Sequence, residues 1–152
     1  MDQTQTHEKA FAVIMAASRE MGVELVSVHE RSINKMKFKM FLEELRAKNP
    51  FDDIMLHMDN ISFHKSDDVK ERMDMLGFHY TYSPKYSPQY NGVEEIINIG
   101  KKTVKKVRLD MIVNGQRLPL KKVVHDAFVN IDELMVSKCV VRSLRLLNLD
   151  AE

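Results

Sequence analysis

The sequence has one cysteine, Cys139, among its 152 residues. That excludes an intrachain disulfide framework and a cysteine-based zinc site, fits a reducing compartment, and leaves Cys139 as a small buried apolar residue. Charge of one sign is lacking too. Lys and Arg total 23 against 22 Asp and Glu, so the net charge of +1 points to no acidic partner and only the placement of charges is informative. No apolar run approaches the ~20 residues of a membrane span. The opening MDQTQTHEKA is polar and has no signal-peptide core. A soluble protein without a membrane partner is expected. Repeats and low-complexity tracts are absent, and most of the 11 Met read as core filler.

What is present suits one domain around one core, with 44% apolar residues. Residues 1–9 read as a disordered leader. AFAVIMAAS (10–18) is short and continuously apolar, as a strand buried on both faces would be. Gly22 marks a turn into a second strand, ELVSVHE. The period then changes: Phe38, Phe41, Leu42 and Leu45 fall on one helical face, with Ser32 or Asn34 as N-cap and Pro50 beyond the end. DDIMLHMDN reads as a third strand ending at Asp59. Ser66 caps a helix with Asp67 and Asp68 in its first turn and Gly77 past its end, and FHYTYSP is a fourth strand.

A Pro- and Tyr-containing loop leads to a third helix whose apolar stripe is Ile97, Gly100, Val104, Val107 and Met111. Its other face carries Lys101, Lys102, Lys105, Lys106 and Arg108. Asn114, Gly115 and Pro119 break the chain, and a last helical region, bent or divided, runs from about residue 121 to 147. The expectation is an α/β domain with a mixed sheet flanked by helices, its core at 10–112 and a helical extension of the same domain at 113–152.

Two carboxylates stand out. Asp59 ends a buried strand, where open α/β sheets expose functional groups, and Glu94 opens a helix after a loop that Pro84 and Pro88 stiffen. Carboxylates converging from separate elements on Mg²⁺ or Mn²⁺ are what metal-dependent phosphoryl transfer requires. Equally, an Asp at a strand end and a Glu in a first helical turn can simply solvate or cap. Glu95 is the alternative to Glu94, and the register to Asn91 favours Glu94. His57 shares the Asp59 face by period two, but a zinc trio of His57, Asp59 and Glu94 suits hard-oxygen chemistry poorly. The lysine face could track DNA phosphates or be a solvated surface. Tyr82, Tyr86 and Tyr90 could stack on bases or pack the loop.

MDNISFHKS followed by YSPKYSPQYNGVEE resembles the catalytic domain of mariner-type transposases, the DDE superfamily endonucleases with an RNase H-like fold. In that family the second catalytic aspartate ends a strand as Asp-Asn with a histidine after it, matching Asp59, Asn60 and His64. A Tyr-Ser-Pro loop then leads to Asn-Pro-Ile-Glu, here Tyr86, Ser87, Pro88 and Asn91, Gly92, Val93, Glu94. The 34 residues between Asp59 and Glu94 (60 to 93) are a family spacing. The resemblance covers roughly residues 10 to 110. It implies Asp59 and Glu94 as catalytic metal ligands, with Asn60, His64, Ser87, Pro88 and Asn91 in support. Mg²⁺ or Mn²⁺ is the implied cofactor, and DNA, as transposon ends and target, the implied partner, with a homodimer left open. The implied location is the nucleus in a eukaryotic host and the cytoplasm otherwise.

The departures shape the expectation. Family members carry an N-terminal helix-turn-helix region and a first strand with the first catalytic aspartate, and neither is found; Asp2, in the polar leader, is a poor substitute. With the first strand missing, metal should bind weakly and a sheet edge should be exposed. Gly92 in place of proline should loosen the loop before Glu94. The expected function is therefore a transposase catalytic-domain fragment, metal-dependent in cutting and joining DNA. The alternative is an inactive remnant that binds DNA or a protein, and a third reading is an unrelated α/β binding domain.

Overall fold

An apolar run such as residues 10–18 needs a pairing partner for its backbone, and the turn at Gly22 brings one. The computed structural model describes residues 10–146. In it β1 (Ala12–Ser18) pairs antiparallel with β2 (Gly22–His29), from Ala12 opposite His29 to Ser18 opposite Gly22, with a register shift between Ala16 and Ala17. Gly22 has φ 74°, backbone that glycine adopts without a Cβ penalty. Helix α1 (Lys35–Lys48) is capped by Asn34, which accepts from the Lys37 N–H at 2.9 Å, and it buries the predicted stripe of Phe38, Phe41, Leu42 and Leu45.

Strand β3 (Met55–Met58) stops just before Asp59 and pairs in parallel with β4 (His79–Tyr82). A parallel pair needs a crossover, supplied by a 3-10 turn (Ser62–Lys65) and helix α2 (Asp67–Met75). Ser66 precedes α2 as expected, but its hydroxyl donates to the Phe63 carbonyl at 2.9 Å instead of capping the helix. Asp67 and Asp68 still complement the positive helix end.

Helix α3 (Gly92–Val113) ends at Asn114, and the last helical region is divided into α4 (Leu120–Val129) and α5 (Glu133–Leu146). Asp132 starts α5 by accepting from the Met135 N–H at 2.9 Å. No helix among the described residues is long and apolar enough to cross a membrane.

The hairpin has a core on each face. Leu25 packs with α1, Met58 and α2 residues Val69 and Met73. Met15, Val26 and Val28 pack instead with Ile96, Phe128, Val136 and Cys139 of α3 to α5. The helices after residue 113 thus share a core with the first strands. The mixed sheet was expected without its first strand and with an exposed edge. Among the described residues the strands form two separate pairs, β1–β2 and β3–β4, because no described strand lies between β1 and β3 to complete the ladder.

Candidate functional site

Asp59 is fixed from its side chain and its backbone. The Asn91 amide nitrogen donates to Asp59 Oδ1. His64 Nδ1 lies 3.1 Å from the Asp59 carbonyl, which can only accept, so that nitrogen carries the proton. The ring sits 4.5 Å from the Phe38 and Phe63 ring centres, and the Tyr82 hydroxyl donates to the His64 carbonyl at 2.9 Å. Burial pushes the His64 pKa below its ordinary 6.5, against the opposing pull of the Asp59 carbonyl bond and charge. His64 is accordingly neutral at pH 7 and holds the Asp59 backbone.

Asn91 serves both carboxylate-bearing elements. It is only 5% exposed. Its side-chain oxygen caps α3 by accepting from the Val93 N–H at 3.1 Å, its carbonyl accepts the Glu94 N–H at 3.1 Å, and its amide holds Asp59. One buried side chain therefore joins the end of β3 to the turn that carries Glu94. Glu95 is committed elsewhere: Arg142 Nη1 of α5 lies 3.2 and 3.1 Å from its two carboxylate oxygens. Burial raises the pKa of the neighbouring Cys139 thiol, and the charge of Glu95 adds to this.

The loop before Asn91 is held by His57 and Ser83, which the sequence did not mark as supporting residues. His57 Nε2 meets the Tyr90 carbonyl at 2.8 Å and Ser83 Oγ at 3.0 Å. Since the carbonyl only accepts, Nε2 carries the proton, and Nδ1 is left buried without a hydrogen-bond partner. The Ser83 N–H donates to the Met58 carbonyl at 2.8 Å, extending the β3–β4 register. Period two in β3 was the available signal for His57; nothing in the sequence indicated its bond to residue 90.

Asn60 is half-buried beside Asp59. Ser87 closes its own turn: its hydroxyl donates to the Lys85 carbonyl at 3.2 Å, and its carbonyl accepts from the Tyr90 N–H at 3.1 Å. Pro88 opens the short 3-10 turn Pro88–Tyr90. Tyr86 is fully exposed at φ 55°. Gly92 lies in the helix and not in the loop before it. It is the buried first residue of α3, and a Cβ there would lie 2.5 Å from the Cys139 carbonyl oxygen, so glycine lets α5 cross against α3.

Lys101, Lys102, Lys105 and Lys106 are exposed on α3, whereas Arg108 is half-buried and has an interaction of its own. Lys101 and Lys105 follow Glu94 by seven and eleven residues, which returns each to within about 20° of its direction around the helix. Among the described residues no group of three or more His, Cys, Asp or Glu is placed to hold a metal ion. Asp2 lies outside them.

Residues 2–112 match the family described as DDE superfamily endonuclease. No curated protein sequence matches the chain. Among solved structures, the catalytic domain of Mos1 mariner transposase is similar at 12% identity and TM-score 0.62, over 88% of this chain and 68% of that one. The Mos1 strand transfer complex is similar at 12% identity and TM-score 0.67, over 97% of this chain and 44% of that one. A simian T-cell lymphotropic virus intasome in complex with a PP2A regulatory subunit is similar at 16% identity and TM-score 0.60, over 82% of this chain and 47% of that one. The Mos1 catalytic domain is also described with Mn and with Mg. At these identities the structural likeness is one of fold, and the family match removes the reading as an unrelated α/β binding domain. The chain belongs to the DDE superfamily of endonucleases, with the RNase H-like fold of mariner-type transposase catalytic domains.

Proposed function

We propose that this domain contributes Asp59 and Glu94 as carboxylate ligands to a divalent-metal site for cutting and joining DNA phosphodiesters. The observation that carries the reading is the double engagement of Asn91, which bonds Asp59 while capping the helix that presents Glu94. Such a tether is what two ligands from separate elements need if they are to meet one ion. The donor set fits Mg²⁺ or Mn²⁺, since both groups are hard oxygen ligands. When bound, such an ion supplies Lewis acidity at the scissile phosphate and lowers the pKa of attacking water.

The chain's own residues do the positioning. Asn91 orients one oxygen of Asp59, neutral His64 holds its backbone without adding positive charge beside the carboxylate, and His57 fixes the loop carbonyl preceding Asn91. Lys101 and Lys105 continue the Glu94 face along α3, about 10 and 17 Å farther along the axis at 1.5 Å per residue. That line suits contacts to successive phosphates, which position DNA without reading its sequence.

Two carboxylates hold an ion more weakly than three, so the folded chain alone should bind Mn²⁺ weakly and nick supercoiled DNA poorly. Mn²⁺ titration followed by electron paramagnetic resonance tests the ligands: Asp59→Asn and Glu94→Gln should each weaken binding by about tenfold, the loss of one charge-assisted interaction. Unchanged binding in both variants would overturn the assignment. Efficient Mg²⁺-dependent nicking that disappears in Asp59→Asn would show that the site is complete. The absence of a third ligating acid among the described residues favours a second reading, a non-catalytic module that keeps the fold and binds DNA or a partner.

A further inference from the structure

The loop between β4 and α3 has both feet beside Asp59. Ser83, where it starts, donates its N–H to the Met58 carbonyl at 2.8 Å, and Asn91, where it ends, bonds the Asp59 side chain. Residues 84–90 therefore leave the end of β3 and return to it, as a compact loop with neighbouring ends does. Tyr86 stands three residues from the first foot, so its Cα lies within about 11 Å of the Ser83 Cα. Its side chain is fully exposed and its backbone has φ 55°, the left-handed region that a bulky residue enters only at a cost in energy. Neither packing nor backbone preference accounts for a tyrosine there, since the ring is uncovered and glycine or asparagine would hold the same turn more easily. The other three tyrosines are engaged. Tyr80 and Tyr82 pack against the core under α1 and α2, Tyr82 also donates its hydroxyl to the His64 carbonyl and carries Lys65 Nζ 5.5 Å from its ring centre, and Tyr90 is half-buried.

We propose that Tyr86 stacks on an unpaired base of the DNA strand addressed by Asp59 and Glu94, and so favours DNA that is frayed or single-stranded at that point. This rests on the reading of the two carboxylates as a site for DNA phosphodiesters. A ring open on both faces suits the π-face that every base carries, and such stacking tolerates any sequence. Inside a duplex both faces of each base are already stacked, so a single ring at a loop tip finds a free face only on a terminal or extruded base. The reach of the loop equals about three steps along one strand at 3.4 Å each, which keeps the stacked base close to the phosphate at the carboxylates. Pro84 and Pro88 flank the tip, and the Ser87 hydroxyl donates to the Lys85 carbonyl at 3.2 Å, so the ring is presented with little backbone freedom left to lose on binding. Exposed Lys85 beside it adds positive charge for the adjoining phosphate without reading sequence.

The test uses the full chain without metal, so its outcome does not depend on metal binding by the carboxylates. The probe is a fluorescein-labelled DNA duplex with a short single-stranded tail, compared with a blunt duplex of the same sequence. Tyr86→Asn keeps the left-handed backbone and removes the ring. By anisotropy it should bind the tailed duplex about tenfold more weakly, the loss of one stacked base, and the blunt duplex as the parent does. Tyr86→Phe should match the parent on both. With iododeoxyuridine in the tail, irradiation should cross-link the DNA to the chain, and peptide mapping should place the link on Tyr86. Equal affinity of Tyr86→Asn and parent for the tailed duplex would overturn the proposal and leave the carboxylate reading standing. An equal loss on the blunt duplex, or a loss in Tyr86→Phe as large as in Tyr86→Asn, would also overturn it, the latter by assigning the contact to the hydroxyl. A chain that binds neither duplex would overturn it together with the reading of the site as one for DNA.

Discussion

His64 works in its neutral form, and that makes the Asp59 turn sensitive to acid. Its folded pKa lies below the ordinary 6.5 because it is buried between Phe38 and Phe63. In the unfolded chain the ring gains its proton near pH 6.5, so between that value and the lower folded pKa the unfolded state binds more protons. The contribution of His64 to stability is therefore fully present above about pH 6.5 and is lost as pH falls through the folded pKa. Thermal melts from pH 7.5 to 5 should show the chain losing stability, with a shallower loss in His64→Phe, which keeps the ring stack and cannot titrate. His29, also lowered chiefly by burial, leaves a residual slope in that variant; identical slopes for the two proteins would exclude His64 as a source.

The same residue shows what a sequence can and cannot convey. Asp59, Asn60 and His64 are adjacent in the chain, so a short motif could mark them. The link from Asn91 to Asp59 crosses 32 positions of separation and depends on which rotamer a buried amide adopts. Likewise, the bond from His57 to the Tyr90 carbonyl has no local signature, because one partner is backbone.

Among the elements, α3 carries Glu94 and is held closely against α5. Gly92 sits where α5 crosses, and the obstructing atom for an added Cβ is the Cys139 backbone carbonyl, which cannot rotate away. Gly92→Ala should therefore cost about 1–3 kcal/mol, the usual range for overpacking a tight contact, measurable as a lower urea midpoint. A neutral or stabilising effect would show that α5 shifts freely. Helical stripes and caps such as Asn34 were readable because they depend on a local period. The missing first strand was expected from the family resemblance and not from a local period, since nothing in β1 or β3 specifies whether a third strand lies between them.

For the molecule as a whole, near-neutral charge conceals an uneven distribution. Lys101, Lys102, Lys105 and Lys106 line one region of α3 while Glu20, Glu24, Asp52 and Asp53 line a groove beside β1 and β3. If the lysine face tracks DNA, log affinity should fall with log salt by about 0.9 per phosphate contact. Replacing the four lysines with glutamine should flatten that slope by up to about 3.6 and weaken binding alike on unrelated sequences. A slope unchanged in the variant would mean that the face is only solvated. The α/β class and the order of elements were readable from alternating apolar periods, whereas the placement of the basic face relative to Glu94 needed helical geometry.

Exposed Tyr86 marks the stretch of chain that joins the strand-bearing portion to the three final helices. Asp59 lies before it and Glu94 after it. Val26 and Val28 from the earlier portion interlock with Ile96, Phe128 and Val136 from the later one. Asn91, which bonds Asp59 and caps α3, thus stitches a seam between the two portions.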